Sequence, residues 1–172
     1  PEELRADLEK ALALLPGRHR VNLHAMYGEF EKAPADRDGL EPAHFAGWAA
    51  WARSIGAPLD FNATLFAHPR AATGFTLSAK DEGTRGFWIE HVRRCREIAV
   101  TLGRGQEGPC VHNLWIPDGS KEAPADRASR RDVLKASLDA IYAVPHDPVN
   151  LLDAVESKLF GIGSESYVAG SH

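Results

Sequence analysis

Cys110-Val111-His112-Asn113-Leu114-Trp115-Ile116 decides the fold class. A strand turns successive side chains to opposite faces. This run splits accordingly, with Asn113 and Trp115 on one side and Leu114 and Ile116 on the other. A glycine-rich break precedes it. Before the break, Trp88, His91, Val92, Cys95, Ile98, Ala99 and Leu102 recur at helical spacing behind Asp81, a residue suited to open a helix.

The same helix-then-strand unit repeats on either side. Leu4, Leu8, Ala11, Leu12 and Leu15 form a helical face that Pro16-Gly17 ends, and the short apolar run Val21 to Tyr27 is long enough only for a strand. Phe45, Trp48, Ala49, Ala52 and Ile55 form the next face, Gly56 closes it, and Leu59 to Ala63 reads as a strand before a long loop from Ala67 to Ala79. Beyond a polar loop from Pro117 to Asp126, a helix carries Val133, Leu134, Ser137, Leu138 and Ile141. Pro145 and Pro148 then precede a last strand, Asn150 to Lys158. Such alternation predicts a parallel sheet with helical crossovers. Asn22, Asn62, Asn113 and Glu156 mark the four strands at intervals of 40, 51 and 43 residues, a size that suits a barrel with generous loops. A closed (β/α)8 barrel needs eight strands. Residues 1–172 are therefore expected to form a partial TIM-barrel domain of about four βα units, with an open four-stranded sheet as the alternative.

Composition narrows the function. The chain carries 24 acidic and 20 basic side chains, a formal charge of −4, and lacks the basic footprint of a nucleic-acid surface. No apolar run approaches the roughly 18 residues of a membrane span. Two cysteines, Cys95 and Cys110, are too few for a disulfide framework and suggest a reducing, cytoplasmic setting. Walker, dinucleotide and nucleophile-elbow motifs are lacking. Cys110-x-His112 lacks zinc spacing, and its parity turns His112 outward against a helix. Arg93, Arg94 and Arg96, with Arg127, Arg130 and Arg131, read as solvated helix faces.

Near each strand's C-terminal end one parity is polar or ring-bearing: Asn22 and His24, Asp60 and Asn62, Asn113 and Trp115, then Glu156 and Lys158. In a barrel, catalytic groups come from such strand ends. A carboxylate at position 156 suits a hard divalent cation, and an ammonium two residues on can stabilise a developing oxyanion. The plain alternative is an ordinary ion pair. His24 is a candidate hydroxyl donor, base or ligand, or a hydrogen-bonded core histidine. Trp115 is an apolar wall or core packing. Phe66 and His68 lie on the loop after the second strand, where functional residues gather.

Several stretches together resemble the L-rhamnose isomerase family: Glu3-Leu-Arg-Ala-Asp-Leu-Glu9, Asn22-Leu-His-Ala25, Leu59-Asp-Phe-Asn62, His68-Pro69, Gly74-Phe-Thr-Leu-Ser78, Trp115-Ile-Pro-Asp-Gly119 and Asp153-Ala-Val-Glu-Ser-Lys-Leu-Phe-Gly-Ile-Gly163. The resemblance implies a xylose isomerase-like barrel with two divalent ions, commonly Mn²⁺, at the strand C-termini, and an aldose–ketose isomerisation of L-rhamnose in a homotetramer. It further implies Glu156 as a metal ligand and Lys158 beside the substrate's C1–C2 region. His24 and Trp115 would line the sugar pocket, and Phe66 would cover a pocket, that of a neighbouring subunit. Family members are longer, so the remaining metal-binding residues are expected beyond His172 and early barrel elements before Pro1, leaving this chain inactive alone. Another metal-dependent sugar isomerase or epimerase, or a non-catalytic self-associating sugar-binding fragment, are the competing expectations.

Overall fold

A computed structural model describes residues 1–158 and 165–170. In chain order the elements are α1 (Glu2–Leu14), β1 (Val21–His24), α2 (Ala46–Ile55), β2 (Leu59–Asn62), α3 (Glu82–Arg104), β3 (Cys110–Ile116), β4 (Gly119–Ser120), α4 (Arg127–Tyr142), β5 (Leu151–Ser157) and β6 (Tyr167–Val168), with four short 3-10 turns among them. Strands β1, β2, β3 and β5 pair in that order, all parallel. The result is an α/β arrangement of the kind found in part of a (β/α)8 barrel. Leu159 to Gly163, the end of the longest family-like stretch, lie outside the described residues.

One face of the sheet is the core. Val21, Leu23, Leu59, Phe61, Cys110, His112, Leu114 and Ile116 are buried with Trp48, Trp88, Val92 and Ile98 from the helices. The opposite parity remains open, with Asn22 exposed and His24, Asn113 and Trp115 half-buried. Period-two patterning therefore assigns the faces of β1 and β3 as expected, whereas Asn62 on β2 is buried and Val155 on β5, expected on the apolar face, is 52% exposed. Helix signals act as read: the Asp81 side chain accepts from Thr84 N–H at 2.7 Å, and Gly56 ends α2. Gly103 is required for a different reason. A Cβ there would sit 1.9 Å from the Asn150 carbonyl, which accepts from Cys110 N–H at the start of the β3–β5 ladder.

Some expectations need correction. The run Val21 to Tyr27 stays extended only to His24. Ala25–Tyr27 then turn as a 3-10 helix, and the Tyr27 carbonyl accepts from the Trp48 indole at 2.8 Å, so the chain bends over α2. Leu15 caps α1 in extended conformation and is exposed, leaving Leu4, Leu8 and Leu12 to pack. The short antiparallel pair β4–β6 had no periodicity to announce it. The last strand begins at Leu151, one residue later than expected.

The largest correction concerns the arginines. Arg96 is 3% exposed rather than solvated. Its guanidinium donates to Asp153 on β5 at 2.8 to 3.2 Å, and to the Ile141 and Val144 carbonyls at the end of α4 at 2.9 and 2.8 Å. Arg93 donates to the Ala140 carbonyl at 2.8 Å, and Arg130 lies over the Phe75 ring while donating to the Ser78 carbonyl. An arginine's planar fork of five donors serves the two carboxylate oxygens and two carbonyls at once.

Burial alone would raise the Asp153 carboxyl, but the nearby His112 ring and the hydrogen bonds from Arg96 outweigh it and hold the group at about 2. His112 Nδ1 stands 3.4 Å away, too far for a strong bond, so the guanidinium does most of the holding. A folded-state value below the ordinary 3.8 means that the unfolded chain takes up the proton first. The stabilisation is complete above that range and is lost as pH falls from 3.8 towards 2, by about 2 kcal/mol. Denaturant midpoints measured across this window should fall steeply in the wild-type chain and less steeply in Asp153→Asn; equal slopes would contradict the assignment.

Candidate active site

Register brings the polar strand ends into rows. His24 lies beside Asn62, Asn62 beside Asn113, and Asn113 beside Ala154, while Trp115 lies beside Glu156. Rows on the open face converge at the C-terminal mouth of the sheet. Phe66, on the loop after β2, stands between the His24 and Trp115 rings at centroid distances of 6.0 and 5.6 Å, edge-on to both. It thus stands with two rings of its own chain. The Asn113 amide donates to Glu156 Oε2 at 2.7 Å. Asp60, lower on the same face, is occupied structurally: Arg20 bonds it at 2.8 and 2.9 Å and Val111 N–H at 2.8 Å.

Lys158 continues the ladder, its N–H donating to the Ile116 carbonyl, and its ammonium pairs with Glu165. That ammonium holds the Glu165 carboxyl below the usual carboxylate range. Lys158 and Glu165 share with Phe66, His68, Thr76 and Pro117 a cavity of about 330 Å³. A larger cavity of about 530 Å³ lies between α2 and α3, lined by Phe45, Ala49, Ala52, Ile98 and Leu102. It opens on the helix side, away from every strand C-terminus, whereas the smaller one lies at the strand C-terminal mouth. His68 is committed elsewhere, bonded to Asp36 at 2.9 Å and stacked on Phe87.

The loops that shape this mouth are fixed by buried polar groups. Asp118, fully buried, accepts from the N–H and hydroxyl of both Thr76 and Ser78. Gly74, at φ +78°, lies so close to the Gly119 carbonyl that a Cβ would be 2.5 Å from it. On the other side of the mouth, Thr64 is buried with φ 56°, a left-handed conformation that costs a β-branched residue about 1–3 kcal/mol. Asn62 Oδ1 accepts from Thr64 N–H at 2.8 Å, and the Thr64 hydroxyl lies 3.1 Å from His24 Nδ1. His91, wholly buried on α3, faces the Ala63 and Arg37 carbonyls and is pushed by burial down to about 4. Burial and the nearby Arg37 charge also lower His24, favouring its neutral form.

The structure therefore brings together four of the five residues singled out in the sequence, His24, Phe66, Trp115 and Lys158, with Glu156 in register beside Trp115. Thr64, Asp118 and Glu165 were missed. For Asp118 a signal existed in Thr76-x-Ser78, two hydroxyls at strand-like spacing that converge on one acceptor. For Thr64 there was none, since its backbone conformation is set by the turn.

Comparison with known proteins supplies the family. The profile for L-rhamnose isomerase (RhaA) matches residues 1–172. The chain belongs to the L-rhamnose isomerase family. It is 56% identical to the L-rhamnose isomerase of Rhodopirellula baltica over 171 residues, 48% identical to that of Bacteroides thetaiotaomicron over 171 and 48% identical to that of Escherichia coli over 170. Each alignment covers 99% of this chain and 40% of the relative, so the chain spans about two fifths of the length of the proteins it matches. Among the described residues no helix is long and apolar enough to cross a membrane.

Asp118 yields a direct check on the mouth's architecture. An amide in its place keeps the shape but turns an NH₂ towards donors, leaving buried N–H or O–H groups unpaired. Asp118→Asn should lower stability by about 2–3 kcal/mol in urea titration; a midpoint unchanged from wild type would show that this carboxylate does not hold the loops.

Proposed function

We propose that this chain supplies part of the catalytic mouth of a metal-dependent aldose–ketose isomerase interconverting L-rhamnose and L-rhamnulose. The observation that carries the reading is the convergence of His24, Phe66, Trp115 and Lys158 at one strand C-terminal mouth, in a chain that matches the isomerase family throughout. The polar open face supports completion of the sheet to an eight-stranded barrel, of which residues 1–172 give about four βα units. In a closed barrel that face becomes the interior. Leu152 and Val155 of the edge strand β5 are 45% and 52% exposed, as expected of a strand that takes a further neighbour.

Each residue then has a task. Trp115 and Phe66 wall the pocket with rings, against which a sugar's C–H face packs and from which water is excluded. His24 meets a sugar hydroxyl. The Lys158 ammonium stabilises negative charge building on the carbonyl oxygen during isomerisation. Glu156 presents a hard carboxylate at an exposed strand end, a fit for one position around Mn²⁺ or a similar cation. Among the described residues no three His, Cys, Asp or Glu side chains gather around it, so further ligands come from other parts of the site. Such an ion supplies Lewis-acid polarisation of the sugar's oxygens. The free, buried Cys95 and Cys110 suit a cytoplasmic enzyme, which we take to be a homotetramer.

The test is ketose formation by the full-length protein bearing this chain, given L-rhamnose and Mn²⁺. Lys158→Met should lower kcat by about 10²-fold or more, and Glu156→Gln should raise the Mn²⁺ concentration needed for activity. Faster turnover of another aldose would assign a different sugar isomerase, and wild-type rates in both variants would overturn the site.

A further inference from the structure

The Thr64 hydroxyl has one proton and two acceptors within reach. The Asn62 carbonyl lies at 3.3 Å and His24 Nδ1 at 3.1 Å. If the proton goes to Nδ1, the carbonyl receives nothing from the hydroxyl and the hydroxyl makes one hydrogen bond. If it goes to the carbonyl, which can only accept, the hydroxyl's lone pair is left for an Nδ1–H donor and two bonds form in series. Two bonds in a buried site outweigh one. The rest of the turn holds the hydroxyl for this role: Asn62 Oδ1 takes the Thr64 N–H at 2.8 Å, and the wholly buried His91 ring bears on the preceding Ala63 carbonyl. A β-branched residue is thereby kept at φ 56°, where glycine would be unstrained. Among the described residues His24 Nε2 has no hydrogen-bond partner, and its ring edge stands beside Phe66 in the mouth.

From this geometry we infer that Thr64 is a positioning residue that locks His24 as the Nδ1–H tautomer, so that His24 presents a bare Nε2 to the mouth as a hydrogen-bond acceptor. The ligand group it selects is a hydroxyl that donates. A ligand carbonyl or ether oxygen at the same place would meet a lone pair and be disfavoured. The tautomer stands on the local geometry alone, while the identity of the hydroxyl as a sugar's rests on the function proposed above.

Magic-angle-spinning NMR on the full-length protein with ¹⁵N,¹³C-labelled histidine reads which ring nitrogen carries the proton, and His24→Gln identifies the signal. The wild-type protein and Thr64→Ser, which keeps the hydroxyl, should both show the proton on Nδ1. Thr64→Val, which keeps the shape without the hydroxyl, should move it to Nε2 and lower kcat/KM for the sugar about tenfold. A wild-type proton on Nε2 overturns the inference without need of any variant, as does an Nδ1 proton that survives in folded Thr64→Val. The tautomer pattern holding in a protein that does not turn over L-rhamnose would sustain the inference and fail the proposed function instead.

Discussion

The buried guanidinium of Arg96 sets where everything else in the site can be. It grips Asp153 on β5 and two carbonyls at the end of α4, tying the last strand and the last helix to α3 through one side chain. Asp153 lies on the helix-covered face beside His112, so holding it there fixes the parity of β5. Glu156 and Lys158 follow, at odd distances along the strand, on the open face. A slip of one residue would send both beneath the helices. Breaking such a pair by removing one partner leaves an uncompensated buried charge, typically at a cost of about 3–5 kcal/mol.

The two ends of the sheet do different work. At the strand N-termini the open face is closed by structural pairs: Arg20 and Asp60 lock together, and Asp60 also takes the Val111 N–H of the neighbouring strand. At the C-termini the polar groups are held by single bonds or by aromatic edges, and the strongest constraints lie in the loops behind them. Asp118 gathers four donors beneath one loop, and Thr64 is held in a left-handed turn beneath another. The loops stand rigidly behind the His24, Phe66 and Trp115 ring edges and the Lys158–Glu165 pair, which is the kind of support that the proposed pocket for a polar ligand needs.

Much of this is legible in the residues. Alternation in Cys110–Ile116 and the matching parity of His24, Asn62 and Glu156 assign the open face, because period two is a property of the backbone and survives tertiary packing. Helix stops at Gly56 and the start at Asp81 are local chemistry and read equally well. Arg96 was read as solvated because an arginine on a helix is usually so, and its burial depends on Asp153, 57 positions away, and on carbonyls freed where α4 ends. Thr64 and its hydroxyl could not be foreseen for a similar reason: a left-handed turn in a threonine is imposed by Asn62 and His91 rather than by its own preference. Glu165 carries no signal in the sequence, because the spacing Glu156-x-Lys158 points those two at each other, whereas Glu156 bonds Asn113 and leaves the ammonium to Glu165.

The central claim is that the open face is the inner wall of a ligand site, with Glu156 at its metal end. Anomalous diffraction at the manganese edge, from crystals of the full-length protein grown with Mn²⁺ and L-rhamnose, addresses it directly. A manganese peak at coordination distance from the Glu156 carboxylate, with sugar density between Trp115, His24 and Lys158, is the expected result. Metal and sugar bound elsewhere, with Glu156 still turned only to Asn113, would contradict it.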